Sequence, residues 1–390
     1  MREKLASRLE ALEDEGLRRA LITVGPPAVE IRVEGAGSVI NLASNDYLGL
    51  AGHPALALAS SRAAHEIGTG AGGARLVTGN LALHEQLEAE LARLLGARRT
   101  LLYGSGYLAH VGTIAALMDG EHDVIYSDQH NHASIVDGCR LARAAVRVYP
   151  HHDVDRLEQL LAADDGRGRR LVVTETLFSM GGDEAPLAEI CRLCQAHAAW
   201  LLVDEAHAFG VRGPKGAGIV AELGLQEQVQ VRMGTLGKAG GSYGAFVGGS
   251  VELVEYLVSR SRSFIYSTAL PPPVVASSLA AVELIGGEEG EQRRGLLRRA
   301  SERLHRGLVD QGWPMTQVSG PILPLLVGDP RRAVALSDAL LQHGVLARAM
   351  RYPTVARGTE RLRLVASSAL ADEQLDRALE AFSVVRRRGG

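Results

Sequence analysis

Four short stretches hold side chains that could do chemistry together. Lys238 stands in Thr235-Leu236-Gly237-Lys238-Ala239-Gly240-Gly241-Ser242, a lone amine among glycines and hydroxyls. Crowding and desolvation lower the pKa of such an amine and ready it to form a Schiff base. Asp204 and His207 lie in Val203-Asp204-Glu205-Ala206-His207, behind the apolar run Trp200-Leu201-Leu202-Val203. A carboxylate at the end of a buried strand is costly unless it meets a cation or hydrogen-bond donors. Gly104-Ser105-Gly106-Tyr107 lets backbone N–H groups approach an anion at a helix start. Ser127-Asp128-Gln129-His130-Asn131-His132 is a polar loop bearing two imidazoles.

Each stretch alone has a plainer reading. Lys238 could be a solvated loop lysine, and Gly104–Tyr107 a tight strand–helix turn. Asp204, Asp128 or Asn131 could each be a helix cap. Together they are a phosphate cradle, an imidazole to stack on a ring, an acid for a ring nitrogen and an amine to capture an aldehyde, in that chain order. Pyridoxal phosphate requires such a set.

A scaffold must bring these stretches to one place. Helical spacing of Leu83, Leu87, Leu91, Leu94 and Leu95 predicts a helix ending near Gly96. Strands are predicted at 100–103, 124–127, 146–149, 171–174 and 200–203. Helices are predicted at 111–118, 135–142, 154–162, 186–197 and 251–261. Continuous apolar strands alternating with helices imply an α/β fold with a mostly parallel central sheet covered on both faces. In such a sheet ligands bind beyond the carboxyl ends of the strands, and the stretches at 104–107, 127–132 and 203–207 fall there. Pro271, Pro272 and Pro273 then punctuate the chain. A long helical stretch at 274–311 follows, with strands at 322–327, 345–349 and 362–365 and helices at 332–343 and 372–384. The expected organisation is an N-terminal arm (1–40), a large domain (41–270) and a smaller α+β domain (271–390).

Composition narrows the field. With 390 residues, 46% hydrophobic and 22% charged, the chain is an ordinary globular one rather than a disordered one. A net charge of −3 and 4% aromatics argue against nucleic acid as a partner. Three cysteines cannot make a disulfide framework and suit a reducing compartment. No apolar run approaches a membrane span, and the first sixteen residues lack an apolar signal core. Leu5, Leu9 and Leu12 predict an amphipathic arm, and Arg386-Arg387-Arg388 a solvated tail.

Asn45-Asp46-Tyr47-Leu48-Gly49-Leu50, Val203-Asp204-Glu205-Ala206-His207, Thr235-Leu236-Gly237-Lys238 and Gly358-Thr359-Glu360-Arg361-Leu362-Arg363 jointly resemble the signatures of the α-oxoamine synthases. These are pyridoxal-phosphate enzymes of fold type I, and the matching segments run from about Ala43 to Ala366. The resemblance implies that Lys238 captures the cofactor aldehyde and later serves as general base, and that Asp204 keeps the pyridine nitrogen protonated. It implies that His132 stacks on the ring, and that His207 and Ser179 hydrogen-bond near the ring hydroxyl. Ser105, Gly106, Tyr107 and Thr235 would hold the phosphate. Ser267 and Thr268 would reach the phosphate of a neighbouring subunit, so a homodimer is implied. Arg363 would pair with the amino-acid carboxylate, for which its planar fork is suited. Arg18, Arg351 and Thr354 would contact substrate.

Within the family, Gly68–Leu76, Asn131–Ile135 and Ile265–Thr268 are similar to the branch that condenses L-alanine with a pimeloyl thioester, with loss of carbon dioxide and thiol, in cytoplasmic biotin biosynthesis. Coenzyme A and an acyl carrier protein both stand open as the thiol carrier. The alternative is a member such as 2-amino-3-ketobutyrate CoA ligase, which uses glycine and acetyl-CoA. Two residues depart from the family pattern. His110 stands where relatives often carry Asn, and Ala74 where they more often carry Ser or Thr. Ala74 would leave room for the methyl of alanine.

Other motifs carry no function in this reading. Gly68, Gly70 and Gly73 spell a dinucleotide fingerprint, but a helix, not a strand, is predicted before them. Gly237-Lys238 lacks the Ser or Thr of a P-loop. Cys191 and Cys194 fall on the buried stripe of a helix with Leu187 and Ile190, so no metal is expected there. His122 and His151-His152 are expected in solvated turns.

Overall fold

The computed structural model describes residues 1–316 and 319–389. The chain begins with α1 (Arg2–Asp14), β1 (Glu30–Val33) and β2 (Gly37–Asn41), then α2 (Pro54–Glu66) and α3 (Ala82–Leu95). Alternation follows: β3 (Arg99–Tyr103), α4 (Gly106–Leu117), β4 (Val124–Asp128), α5 (Ala133–Leu141), β5 (Ala145–Tyr149), α6 (Val154–Ala162), β6 (Arg170–Glu175), α7 (Leu187–Ala196) and β7 (Trp200–Asp204). Next come α8 (Ile219–Glu222), β8 (Val231–Thr235), β9 (Ala245–Gly249), α9 (Val251–Arg260), α10 (Arg262–Ile265), α11 (Pro272–Gly286) and α12 (Glu288–Asp310). The chain ends with β10 (Ile322–Leu326), α13 (Pro330–Gln342), β11 (Val345–Leu346), β12 (Arg348–Met350), β13 (Arg361–Val365) and α14 (Asp372–Gly389).

One compact unit comprises residues 50–179 and 183–294. Its core is a seven-stranded sheet in the order β3-β9-β8-β7-β6-β4-β5. β9 runs antiparallel to both its neighbours, β3 and β8; the pairs β8–β7, β7–β6, β6–β4 and β4–β5 are parallel. The mostly parallel sheet is therefore as expected, with one reversed strand inside it. Side chains alternate across a strand, and both faces are apolar here. Val172, Leu201 and Val203 join the core beneath α6 and α7, while Leu171, Val173 and Leu202 join the core beneath α4, α5 and α9. This two-sided burial makes the strands read as continuous apolar runs.

The second unit comprises residues 1–49, 180–182 and 295–390. It holds two three-stranded sheets, β1-β2-β11 and β10-β13-β12. Ile31, Val33, Val39 and Leu346 form one of its apolar clusters.

The division corrects the expected boundaries. The break is not at Pro271 but inside α12, next to Gly295. Pro271 to Pro273 do not end a domain; they start a helix, which tolerates proline in its first turn, and α11 then packs on α2 and α3. The single helix expected over 274–311 is two, parted at Gly287. Residues 1–49 belong to the second unit rather than to an arm and a large domain. The expected arginine tail continues α14 instead: Arg386 lies over Trp313 and Arg387 pairs with Glu380. The Arg388 side chain falls outside the described residues.

Candidate active site

The ends of the strands explain why the predicted residues meet. β3 and β4 to β8 all point the same way, so their carboxyl ends share one edge of the sheet. Residues Gly104–Tyr107, Asp128–His132, Glu175–Ser179, Asp204–His207 and the Lys238 loop all follow these ends.

Lys238 sits in the β8–β9 hairpin loop. That loop is closed by hydrogen bonds from Leu236 N to Gly244 O (2.9 Å), from Ser242 N to Leu236 O (3.0 Å) and from Gly241 N to Lys238 O (2.9 Å). Gly241 has φ +60°, and a Cβ there would meet Leu50 C and Ala51 N at 2.4 Å, so only glycine lets the loop lie so close. Lys238 Nζ lies 2.8 Å from His207 Nε2. The Thr235 hydroxyl donates to Gly244 O (2.9 Å) and accepts from Gly237 N (3.2 Å), fastening the same loop.

Asp204 is buried at the end of β7. One oxygen accepts from Ala206 N (2.7 Å), and the other lies 3.5 Å from His110 Nε2. His110 Nδ1 lies 2.9 Å from Ser134 Oγ, which lies 2.7 Å from His132 Nδ1. A chain of polar groups thus runs from Asp204 to His132. Burial pushes His110 down to about 4, against the opposing pull of Asp204. Desolvation and the Lys238 charge also lower His132, with Asp204 again opposing. His132 is the N-cap of α5, where Nδ1 accepts from Ser134 N (3.2 Å), and it keeps access to solvent.

Sequence reasoning missed Glu175, which ends β6 beside Asp204 in register. Burial, and then the Asp204 charge, hold its carboxyl above the usual range. Its Oε2 accepts from Ser179 N (3.1 Å). Only the strand pairing brings these two acids together, so no local pattern could reveal them. Glu205, inside the recognised stretch, has a different task. It is buried against Arg232, whose guanidinium also donates to Leu95 O (2.6 Å) and Ala217 O (2.8 Å).

The cradle residues lie at the start of α4. Ser105 is the N-cap, with Oγ accepting from Leu108 N (3.2 Å), and a Cβ on Gly106 would meet Met233 Cε at 2.8 Å. The Tyr107 hydroxyl is turned to Asp137 (3.0 Å). Thr268 pairs through its backbone with Ala74, and Ser267 is half-buried beside it.

The other predicted residues lie in the second unit. Arg363 is buried on β13, donating to Asn45 Oδ1 (2.9 Å) and the Tyr47 hydroxyl (3.4 Å), which joins two of the quoted stretches. Arg351 donates to the carbonyls of Gly16 and Arg18, the latter at 3.2 Å, and Thr354 Oγ1 accepts from Arg19 (3.4 Å). The Arg18 side chain pairs with Glu13 (3.2 Å). Burial and the charges of Arg19 and Arg348, neither of them anticipated, lower Arg351.

The solvated turn expected at His151-His152 is not found, although His122 is exposed as expected. His151 bridges Asp128 (2.9 Å) and Asp183 (2.8 Å), and His130 and His152 stack on its two sides, with ring centroids 4.0 and 3.7 Å away. The two acids raise His151 to about 9, although burial opposes them. Cys191 and Cys194 are buried in α7 as expected.

The model of the aminotransferase class I and II family matches residues 37–382, and the chain belongs to that family. Several curated relatives are 8-amino-7-oxononanoate synthases. An 8-amino-7-oxononanoate synthase of Anaeromyxobacter dehalogenans (strain 2CP-1) is 48% identical, over 98% of this chain and 95% of that protein. One of Geobacter sulfurreducens is 42% identical over the whole of both. Among solved structures, Sphingomonas wittichii serine palmitoyltransferase has TM-score 0.93 and 31% identity, covering 99% of this chain and 97% of the other. The 8-amino-7-oxononanoate synthase of Francisella tularensis has TM-score 0.76 and 27% identity, covering 90% and 98%.

Proposed function

We propose that this enzyme condenses L-alanine with a pimeloyl thioester to give 8-amino-7-oxononanoate, carbon dioxide and free thiol, using pyridoxal phosphate. The observation that carries the reading is the Lys238–His207 contact of 2.8 Å on the strand edge that also ends in buried Asp204. The residues fit the cofactor. A helix start capped by Ser105, with a glycine at its first position, suits the phosphate. A buried acid suits a protonated ring nitrogen, and His110 Nε2 and Glu175 Oε1 are buried polar atoms without a hydrogen-bond partner.

When bound, pyridoxal phosphate supplies an electron-withdrawing ring that stabilises negative charge on the α-carbon of the amino acid. The chain's own groups do the rest. Lys238 Nζ takes the α-proton of alanine, and His207 holds that amine in place. Asp204 supplies the negative charge that keeps a ring nitrogen cationic. His132 offers an imidazole face for the ring, and Ser179 and His207 offer polar groups near its hydroxyl. Ser105, Gly106 and Tyr107 offer backbone N–H groups to the phosphate, while Thr235 anchors the loop. Arg363, aimed by Asn45, pairs with the carboxylate of alanine until carbon dioxide is lost. Arg18, Arg351 and Thr354 receive the acyl substrate, delivered by coenzyme A or an acyl carrier protein.

Ser267 and Thr268 reach across a homodimer to the partner's phosphate. We place the enzyme in the cytoplasm. Its three cysteines are free thiols, and among the described residues no helix is long and apolar enough to cross a membrane.

A matrix of L-alanine and glycine against pimeloyl-CoA and acetyl-CoA, with the product identified by mass, tests the reading. The expected result is a visible cofactor band, lost in Lys238→Ala, and preference for alanine with pimeloyl-CoA. Preference for glycine with acetyl-CoA would instead make the enzyme a 2-amino-3-ketobutyrate ligase.

A further inference from the structure

The turn between β5 and α6 brings two imidazoles to one carboxylate oxygen. His151 Nε2 lies 2.8 Å and His152 Nε2 3.1 Å from Asp183 Oδ2. One donor atom from each of these three residues falls within 4.8 Å of the others. His152 Nε2 is buried and has no aligned hydrogen-bond partner, although it lies against this oxygen. Behind them, Asp128 Oδ1 faces His151 Nδ1 at 2.9 Å.

We infer that His151, His152 and Asp183 form a binding site for a divalent transition ion of the zinc type, with Asp128 as the carboxylate that orients His151. Two imidazole nitrogens and one carboxylate oxygen are a borderline donor set, suited to zinc rather than to magnesium or calcium. Tetrahedral zinc with bonds of about 2.0–2.1 Å holds its ligand atoms about 3.3 Å apart. The two observed separations are slightly shorter, and the His151 and His152 rings, stacked with centroids 3.7 Å apart, must turn out of their stack for both Nε2 atoms to aim at one ion. The carboxylate behind His151 repeats the arrangement by which metal-bound histidines are commonly oriented, its proton held on the nitrogen away from the metal. Binding displaces the proton now shared between His151 Nε2 and Asp183, and water takes the remaining position.

The location gives the ion something to do. Asp183 follows the loop that carries Ser179, and Asp128 begins the loop that carries His132. An ion here ties the β5–α6 turn to the first loop directly and to the second through Asp128. In this assignment the ion is structural and takes no part in the condensation.

The test is equilibrium dialysis of the purified full-length holoenzyme against Zn²⁺, with metal and protein measured after separation. One Zn²⁺ per chain is expected. His152→Asn, which keeps a polar side chain in the turn, should weaken binding by at least about tenfold, and Asp128→Asn by about 10- to 100-fold. Far-UV circular dichroism and the cofactor band check that both variants are folded and loaded. No stoichiometric zinc in the native protein, or zinc bound equally by the native protein and by both folded variants, overturns the site.

Discussion

His110 Nε2 lies 3.5 Å from Asp204 Oδ2 in a space almost closed to solvent, and the histidine remains neutral beside the acid. Its pKa of about 4 in the folded chain against 6.5 ordinarily makes burial the stronger influence. The folded state thus binds fewer protons than the unfolded state between these values. The associated stability is present above pH 6.5 and is lost as pH falls towards 4, about 3 kcal/mol in all. Urea unfolding at pH 7.5 and 4.5 should show a larger loss for the native enzyme than for His110→Asn. Parallel losses would mean that His110 is not held neutral.

Lys238 and His207 should separate in their effects. Lys238→Ala removes the base and lowers kcat by at least about 10²–10⁴-fold. His207→Ala keeps the amine but removes its imidazole contact, so kcat should fall less, while the cofactor band persists. Steady-state kinetics beside the visible spectrum distinguish the two.

Arg363 is expected to matter through geometry as well as charge. Arg363→Lys keeps a cation but loses the planar fork. The KM for L-alanine should rise about 10- to 100-fold, since a charge-assisted hydrogen bond is worth about 1.5–3 kcal/mol. The KM for the acyl thioester should hardly move. An equal rise in both would point to a general distortion around β13.

Glu205 and Arg232 form a buried pair that serves stability. Arg232→Ala leaves the Glu205 carboxylate uncompensated and should cost about 3–5 kcal/mol in urea unfolding. Replacing both by Met should recover much of that loss. Equal stability of the native protein and Arg232→Ala would exclude this role.

Within the alternation from β3 to β7, strands β3, β4, β6 and β7 were legible because each is buried on both faces and reads as an apolar run, whereas the edge strand β5 is largely exposed. β8 was hidden because Arg232 interrupts it, a charge tolerated through Glu205 from another strand end and the carbonyls of Leu95 and Ala217. β9, Ala-Phe-Val-Gly-Gly, offers only three apolar residues before its glycines and is not among the predicted strands. Of the site, Lys238, Asp204 and His207 stood out through local composition and resemblance. Glu175 did not, because its closeness to Asp204 comes from strand register. His151 looked solvated because its partners Asp128 and Asp183 lie 23 and 32 positions away in sequence.

The cross-tied hairpin that carries Lys238 sets how its amine can travel during turnover. The root of the side chain is clamped, so excursions must come from rotation about the bonds of the aliphatic stem. Such an arm can swing away from its partner and find the same spot again within each cycle, and the peptide backbone need not reorganise between rounds.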